Sequence, residues 1–376
     1  MVDIIFVRSV IYDAVIVRVL RSLGKRYSAI LLGWNREGIS DDVKSEILQK
    51  TFHSDLRLRF IFLELKGPHQ RYLLRSYIPM IIYFPLFWSW VFVKLIIYRP
   101  KIVHSFDLDT VLPCYIYRRL FRKKLIFHIV DRYAMHFIPK KYHRLYSIVN
   151  SFEEAFSKRS DVLITVSENV LKTFRTKPDK TAVILNCPED YCNKRDTAQD
   201  EIFVLGYTGA IIKGRGLEQI ATALRNLNNV KLHIYGPVID KKLFNEINRL
   251  SNIEYKGFLP NYDDYQRGII DTDALIAVYT SEVIGNQVTM HNKTLEAMMG
   301  GIPIITNLSP GFVREIGFGI IVEYGNIDEI TSAIKRLRDD PELRKRLGSN
   351  GRKAFLKKYN WGLMEKRLYG IYENLL

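Results

Sequence analysis

Short runs of β-branched and aliphatic residues alternate with helical stretches along almost the whole chain, and this alternation limits the possible folds more than any other feature. The predicted strands cover residues 2–7, 28–33, 59–63, 101–105, 124–130, 162–166, 182–185, 202–207, 230–235, 253–256, 273–279, 302–306 and 319–323. Strands that alternate with helices form parallel sheets with helices on both faces. The sequence therefore predicts an α/β fold made of doubly wound parallel sheets.

The chain has 376 residues, which is enough for two domains of ordinary size. The alternation pauses at residues 186–201, a polar stretch that contains Pro188 and shows no periodicity. We predict an N-terminal domain over residues 1–187, a linker over 188–200 and a C-terminal domain over 201–360.

The stretch that ends at Gly300 predicts an anion site. A helix whose first turn contains Asn292, Lys293 and Thr294 lies between two apolar strands. The free N–H groups at such a helix N-terminus bind anions, and Lys293 adds a positive charge. Glu296, one turn deeper, could accept hydrogen bonds from paired sugar hydroxyls. A phosphate site beside a diol site describes a nucleotide-sugar site.

A glycine-rich turn follows strand 202–207 and predicts a second anion site. Gly209 and Gly214 permit close backbone approach, while Lys213 and Arg215 could neutralise a diphosphate. The spacing is not that of the dinucleotide fingerprint, which argues against a nicotinamide cofactor.

Two further strand ends carry glycine and could support a nucleotide base. Gly236 follows strand 230–235, and Gly257 precedes Leu259 after strand 253–256. A plain turn is almost as good an interpretation, so the assignment of Gly236 and Leu259 to the donor site depends on their positions alone.

Polar groups at strand ends of the first half are candidates for catalysis. His104 and Asp107 lie at the end of one predicted strand, and Asp131 follows the next. Because ligands bind at the carboxyl ends of parallel strands, we predict catalytic roles for these three residues. A structural hydrogen-bonding role is the alternative for each of them.

The charge is unevenly distributed between the two halves. The formal net charge is +16, and residues 1–190 contain 31 Lys and Arg against 18 Asp and Glu, a balance of +13. A basic half beside a nearly neutral half indicates an anionic partner, either nucleic acid or anionic lipid.

The uncharged run at residues 76–93 is the candidate membrane segment. It has 18 residues, at the lower limit for spanning, and Pro79 and Pro85 are predicted to interrupt its helix. Strands on both sides of it belong to one sheet and must lie on one side of a membrane. We therefore predict that residues 76–99 lie at an anionic membrane surface, with an ordinary core helix as the alternative.

The sequence contains few motifs for other kinds of active site. Three cysteines without a matching set of His or Cys partners predict free thiols in a reducing compartment and no metal site. The chain has neither a nucleophile elbow of the type Gly-x-Ser-x-Gly nor a phosphate loop ending in Gly-Lys-Ser/Thr.

With these motifs the chain resembles the retaining glycosyltransferases of family four. The resemblance is strongest from Gly209 to Leu217 and from Asn292 to Pro303, and weaker around Ile102–Asp107. It implies the GT-B fold, in which two Rossmann-like domains face each other across a cleft, and transfer with retained configuration. It also implies that the terminal helix, 361–376, packs back on the first domain.

By the same resemblance, Arg215 contacts the donor pyrophosphate and Glu296 binds the nucleotide ribose. Three positions depart from the family pattern. Val288 stands where the first of the paired glutamates would be, Ala210 replaces a second phosphate arginine, and Val130 stands directly before Asp131 where the family often has histidine.

The sequence thus predicts a metal-independent hexosyltransferase with no cofactor other than a nucleotide-diphosphate sugar as co-substrate. Its acceptor would be a lipid-linked glycan or glycolipid, and the enzyme would be cytoplasmic and peripheral on the inner face of the cell membrane. A sugar-nucleotide epimerase of the same fold and a basic nucleic-acid-binding protein are the alternatives.

Overall fold

The chain divides into two compact units. Unit 1 contains Met1–Asn186 and Met364–Leu376, and unit 2 contains Cys187–Leu363. The computed structural model describes residues 2–10, 14–52, 54–67, 77–138, 141–191, 202–225, 227–259, 262–281 and 291–376. The predicted linker, 188–200, lies outside the described residues from residue 192 onward.

Unit 1 contains a seven-stranded sheet whose paired strands are all parallel, in the order β3-β2-β1-β4-β5-β6-β7. Its strands are β1 (Ile4–Val7), β2 (Ala29–Trp34), β3 (Leu58–Leu63), β4 (Ile102–Phe106), β5 (Lys124–Ile129), β6 (Val162–Thr165) and β7 (Thr181–Val183). Its helices are α1 (Ala14–Gly24), α2 (Asp41–Thr51), α3 (Tyr77–Tyr98), α4 (Leu108–Phe121), α5 (Tyr133–Phe137), α6 (His143–Arg159) and α7 (Glu168–Lys172).

Unit 2 contains a six-stranded sheet, also all parallel, in the order β10-β9-β8-β11-β12-β13. Its strands are β8 (Phe203–Thr208), β9 (Val230–Tyr235), β10 (Ile253–Gly257), β11 (Ala274–Ala277), β12 (Ile304–Thr306) and β13 (Gly319–Ile321). Its helices are α8 (Leu217–Leu224), α9 (Lys241–Ile247), α10 (Tyr262–Ile270), α11 (Asn292–Gly300), α12 (Pro310–Ile316), α13 (Ile327–Asp339) and α14 (Pro341–Lys358).

The prediction of doubly wound parallel sheets is confirmed, and burial explains why the pattern was readable. Strands β1, β2 and β4 are buried along their whole length, as expected for a parallel sheet covered on both faces. The short helices α5, α7 and α12 were not predicted, because five to seven residues carry too little periodicity to identify a helix.

One prediction about α3 is wrong. The helix runs unbroken through Pro79 and Pro85, although both prolines were predicted to interrupt it. Pro79 lies in the first turn, where a helix does not need the missing N–H, and Pro85 is exposed, so water can reach the carbonyl that loses its partner. Across the residues that the structure describes, every helix is too short or too polar to cross a bilayer.

The last helix, α15 (Trp361–Glu373), is attached to unit 1 by buried polar contacts. Nδ1 of His104 lies 2.5 Å from the Tyr372 hydroxyl, and its Nε2 lies 3.1 Å from Nδ1 of His128. The Tyr369 hydroxyl donates to the Ser22 carbonyl at 2.8 Å. His104, His128 and Tyr372 are completely buried, so this chain of polar side chains holds α15 against the sheet.

The burial of His104 predicts that acid destabilises unit 1. Burial lowers the pKa of His104, and the neighbouring His128 lowers it further. An unfolded histidine has a pKa near 6.5, so the folded state releases its proton more readily. This lowered pKa contributes to the free energy of unfolding. The contribution is complete above pH ~6.5 and decreases below it, by up to about 1.4 kcal/mol per pH unit.

Urea unfolding of the wild type and of His104→Asn between pH 7.5 and 5 measures this effect. The variant should lose stability less steeply with acid, because the titrating imidazole is gone. Equal pH slopes in the two proteins would contradict the prediction.

Candidate functional site

Both sheets contain a point where the strand order reverses, and such switch points are where doubly wound folds bind ligands. In unit 1 the reversal lies between β1 and β4, and in unit 2 between β8 and β11. Residues that follow these strands are therefore the candidates for a ligand site in each unit.

In unit 2, glycines bring the backbones of neighbouring strand ends into direct contact. Gly209 follows β8 and donates its N–H to the Tyr235 carbonyl at 2.8 Å, and Gly236 donates to Gly257 at 2.9 Å. Gly236 has φ +149°, and a Cβ there would lie 2.0 Å from the Gly209 carbonyl oxygen. A side chain at Gly236 would therefore push the strand ends apart.

Cationic side chains surround Gly209. A Cβ on Gly209 would lie 3.2 Å from Nη1 of Arg215, 3.5 Å from the Tyr279 hydroxyl and 3.8 Å from Cε of Lys293. The Arg215 guanidinium lies 5.4 Å from the centre of the Tyr279 ring. Arg215 is half-buried and Lys213 is exposed. Two predicted site residues, Arg215 and Lys293, are thus brought together at one glycine.

Lys293 and Glu296 form a hydrogen-bonded network with two further side chains. The Lys293 ammonium donates to the Tyr265 hydroxyl at 2.9 Å and lies 3.4 Å from Glu296. The hydroxyls of Tyr265 and Thr208 donate to the same carboxylate at 3.1 and 3.2 Å. Burial acts to lower the pKa of Lys293, but Glu296 and Tyr265 raise it above its usual range. Lys293 therefore stays positively charged beside Gly209.

The other predicted donor-site residues differ in their exposure to solvent. The first helical residue of α11, Asn292, is exposed, whereas Thr294 is buried and its hydroxyl donates to the His291 carbonyl at 2.6 Å. Leu259 is half-buried just after β10. Residues 282–290, which include Val288, lie outside the described part of the chain.

In unit 1, an ion pair joins the ends of β1 and β4 at the switch point. The Arg8 guanidinium donates to Oδ2 of Asp107, and both side chains are buried. Oδ1 of Asp107 accepts from the N–H groups of Val130 at 2.7 Å and Asp131 at 3.2 Å. Asp107 also has φ +59°, a conformation that persists only where its surroundings enforce it.

The predicted catalytic residues have different environments in unit 1. Burial raises the pKa of Asp107 to about 7, although Arg8 acts to lower it. The side chain of Asp131 is 39% exposed and lies 4.0 Å from His136. Asp107 therefore holds the turn that presents Asp131. His104 lies inside β4, two residues before the strand ends, and both its ring nitrogens face protein partners.

Within the described ranges, no group of three or more His, Cys, Asp or Glu side chains could hold a metal ion. Cys114 and Cys187 are both buried.

Residues 193–354 match the family model for Glycosyl transferases group 1, a range that contains every predicted donor-site residue. The capsular polysaccharide biosynthesis glycosyltransferase CapM of Staphylococcus aureus is 25% identical over 183 residues, which are 46% of this chain and 47% of that protein. A GDP-mannose-dependent monoacylated alpha-(1-6)-phosphatidylinositol monomannoside mannosyltransferase of Corynebacterium glutamicum is 30% identical over 82 residues, 21% of this chain and 22% of that protein. The chain spans about half the length of the first curated relatives it matches.

Solved structures with a similar fold cover the whole length of this chain. Sucrose-phosphate synthase from Thermosynechococcus elongatus has a TM-score of 0.73 at 16% identity and covers 99% of both chains. HepE of Anabaena in complex with UDP and glucose has a TM-score of 0.69 at 12% identity and covers 100% of both. The fold is GT-B. The predicted fold of two Rossmann-like domains is thereby confirmed.

Four residues of this GT-B chain that were not predicted belong to the candidate sites, and one of them is Thr208, the last residue of β8. Tyr279 could have been found, because it lies two residues after β11 at the switch point. Tyr265 on α10 carries no local signal and is brought to Lys293 by packing alone. Arg8 follows β1, and its partner Asp107 lies 99 residues away in sequence.

Proposed function

We propose that this protein is a glycosyltransferase that uses a nucleotide-diphosphate sugar. The observation that carries the proposal is the placement of Arg215 and Lys293 beside Gly209, at the end of a strand and within the range that matches a glycosyltransferase family. The diphosphate leaving group gains negative charge during transfer. Fixed cations and the N-terminus of α11 stabilise that charge electrostatically.

We further propose that transfer retains configuration, as in the family-four enzymes that the sequence resembles, and that it needs no metal ion. Arg215 and Lys293 beside Gly209, with Lys213 in the turn that precedes Arg215, could supply the charge that a divalent ion provides elsewhere. Glu296 would bind the ribose, in which case the ribose hydroxyls compete with Tyr265 and Thr208 for its carboxylate.

The proposed acceptor hydroxyl is bound by unit 1 and deprotonated or oriented by Asp131. This role is supported by the exposure of its carboxylate and by the hydrogen bond from its N–H to Asp107. Asp107 acts through Asp131 as a positioning residue in this proposal. A catalytic role for His104 stays a prediction, and its described contacts are structural.

We propose a lipid-linked glycan or glycolipid as the acceptor, in the synthesis of cell-envelope polysaccharide or a related glycoconjugate. The names of two relatives refer to capsular polysaccharide and to a phosphatidylinositol mannoside, which supports this class of acceptor. The enzyme would work as a peripheral protein on the cytoplasmic face of the cell membrane, which agrees with the +13 balance of residues 1–190.

A thermal-shift screen with UDP, GDP and ADP tests the donor proposal. One of the three should raise the melting temperature, because a ligand at 100 times its dissociation constant adds about 2.7 kcal/mol to the free energy of unfolding. The same nucleotide should protect without added Mg²⁺ and in the presence of EDTA. The absence of a shift with all three nucleotides would contradict the proposal.

Two other functions are separated by simple controls. A sugar-nucleotide epimerase would consume the donor without an acceptor, whereas a transferase would leave it largely intact. A nucleic-acid-binding protein would give a salt-dependent gel shift, which the +3 balance of residues 191–376 does not favour.

A further inference from the structure

Three helices of unit 1 lie side by side and form one layer over the sheet. The Trp88 indole on α3 donates to the Asp109 carbonyl on α4 at 2.7 Å. The rings of Tyr115 on α4 and Phe156 on α6 meet edge-on, with centroids 5.5 Å apart. The outward surfaces of α3, α4 and α6 are therefore continuous, and together they are called the outer helix face.

The outer helix face is unusually apolar. Nine of the seventeen exposed large hydrophobic residues found in the described ranges lie on these three helices, which shows that they form a patch rather than scattered side chains. They are Leu86, Val93, Ile96 and Ile97 on α3, Ile116, Leu120 and Phe121 on α4, and Ile148 and Phe152 on α6.

Helical spacing places these side chains on the water-facing side of each helix. Leu86, Val93 and Ile97 are seven and four residues apart, and Ile116 and Leu120 are four apart. Leu120 is 64% exposed and Ile97 is 59% exposed. A surface helix normally turns its polar residues toward water, so this face is built to contact something other than water.

The charges beside the patch have one sign. Between residues 77 and 124 the acidic residues are Asp107 and Asp109, and both are buried. Exposed cations stand at the C-terminal ends of α3 and α4, at Arg99, Arg119 and Arg122. An apolar surface with a cationic end and no exposed carboxylate matches an anionic lipid headgroup layer above acyl chains.

We infer that the outer helix face docks on an anionic lipid bilayer. The exposed aliphatic and aromatic side chains enter the boundary between headgroups and acyl chains, and the arginines contact lipid phosphates. The inference specifies the surface through which the proposed membrane location would arise, and it needs no transfer activity. It adds α4 and α6 to the segment that the sequence indicated, residues 76–99.

Flotation with lipid vesicles tests the apolar part of this surface. The full-length protein should float with vesicles of phosphatidylcholine and phosphatidylglycerol at 0.1 M NaCl and stay behind with pure phosphatidylcholine. Ile97→Gln/Leu120→Gln should reduce the partition coefficient by at least about tenfold, because two exposed aliphatic groups no longer enter the bilayer. Leu356→Gln is the matched control on α14 of unit 2, where Leu356 is 53% exposed, and should float like the wild type.

The charge variant Arg119→Gln/Arg122→Gln tests the cationic end. Each cation near an anionic surface contributes about fivefold in binding, so partition should decrease by about 25-fold. Nucleotide-induced thermal shifts should be unchanged in all these variants, which separates failure of this inference from failure of the transferase proposal. Wild-type flotation of Ile97→Gln/Leu120→Gln would overturn the inference, and so would a wild-type dimer that this variant converts to a monomer.

Discussion

Replacing Arg215 by alanine is expected to lower kcat by about 10²–10³-fold while the protein stays folded. Its guanidinium lies beside Gly209, close to Lys293 and at the N-terminal side of α8, where the proposed diphosphate would gain charge. The remaining cations cannot replace a planar group that contacts two phosphate oxygens at once. The measurement is the initial rate of sugar transfer with the nucleotide sugar that the thermal-shift screen identifies.

Two comparisons make this experiment specific. Arg225→Ala removes an exposed arginine from the other end of α8 and should leave the rate unchanged. Asp131→Asn should retain nucleotide binding and lose turnover, because it removes a carboxylate from the acceptor side. Wild-type turnover by Arg215→Ala would refute the assignment of the donor site.

Replacing Gly236 by alanine is expected to destabilise unit 2 strongly, by about 3–5 kcal/mol. The new Cβ would lie 2.0 Å from the Gly209 carbonyl oxygen, and φ +149° is unfavourable for any L side chain. The backbone that carries Gly209 would have to move, so nucleotide binding should be lost together with stability. Urea unfolding and the nucleotide thermal shift measure the two effects.

Two other glycines separate the causes of that effect. Gly257→Ala also meets a positive φ, +91°, but nothing lies within 4 Å, so it should cost only the conformational strain of about 1–3 kcal/mol. Gly311→Ala, inside α12, meets neither a positive φ nor a neighbour and should be neutral or stabilising. If Gly236→Ala were as mild as Gly257→Ala, the close packing of the strand ends would not matter to stability.

Much of the fold could be predicted because parallel strands are buried on both faces. Runs such as Ala29–Trp34 are buried at every position, so their apolar character is continuous and easy to recognise. Strand order was not readable, since it depends on pairings between residues far apart, such as Ile4 with Ile102. The switch points therefore became visible only in the structure.

The candidate donor site was partly predictable for a local reason. Lys293 and Glu296 are three residues apart on one helix, so helical geometry brings them to the same face without any tertiary information. Tyr265 comes from another helix, and nothing in its own neighbourhood indicates that its hydroxyl would meet Lys293.

The prediction for His104 shows how much a strand boundary matters. The strand was expected to end at residue 105, but β4 continues to Phe106. Asp107 therefore directly follows the C-terminal end of β4, whereas His104 lies two residues before that end, in the interior of the sheet. Asp107 and Asp131 were predicted as separate strand-end carboxylates, and the structure connects them through the N–H of Asp131. Boundaries are the least certain part of a sequence-based prediction, because helix and strand ends depend on capping and pairing.

The assignment of Met364–Leu376 to unit 1 determines how the two units could be produced separately. A fragment ending at Asn186 would lack Tyr372, leaving His104 without the hydroxyl that faces its Nδ1. A circular permutant would avoid this loss by opening the chain between Asn186 and Cys187 and joining Leu376 to residue 2 through a flexible linker. In that gene order each unit becomes one uninterrupted segment, and the boundary between them falls in the first turn of α15, between Leu363 and Met364.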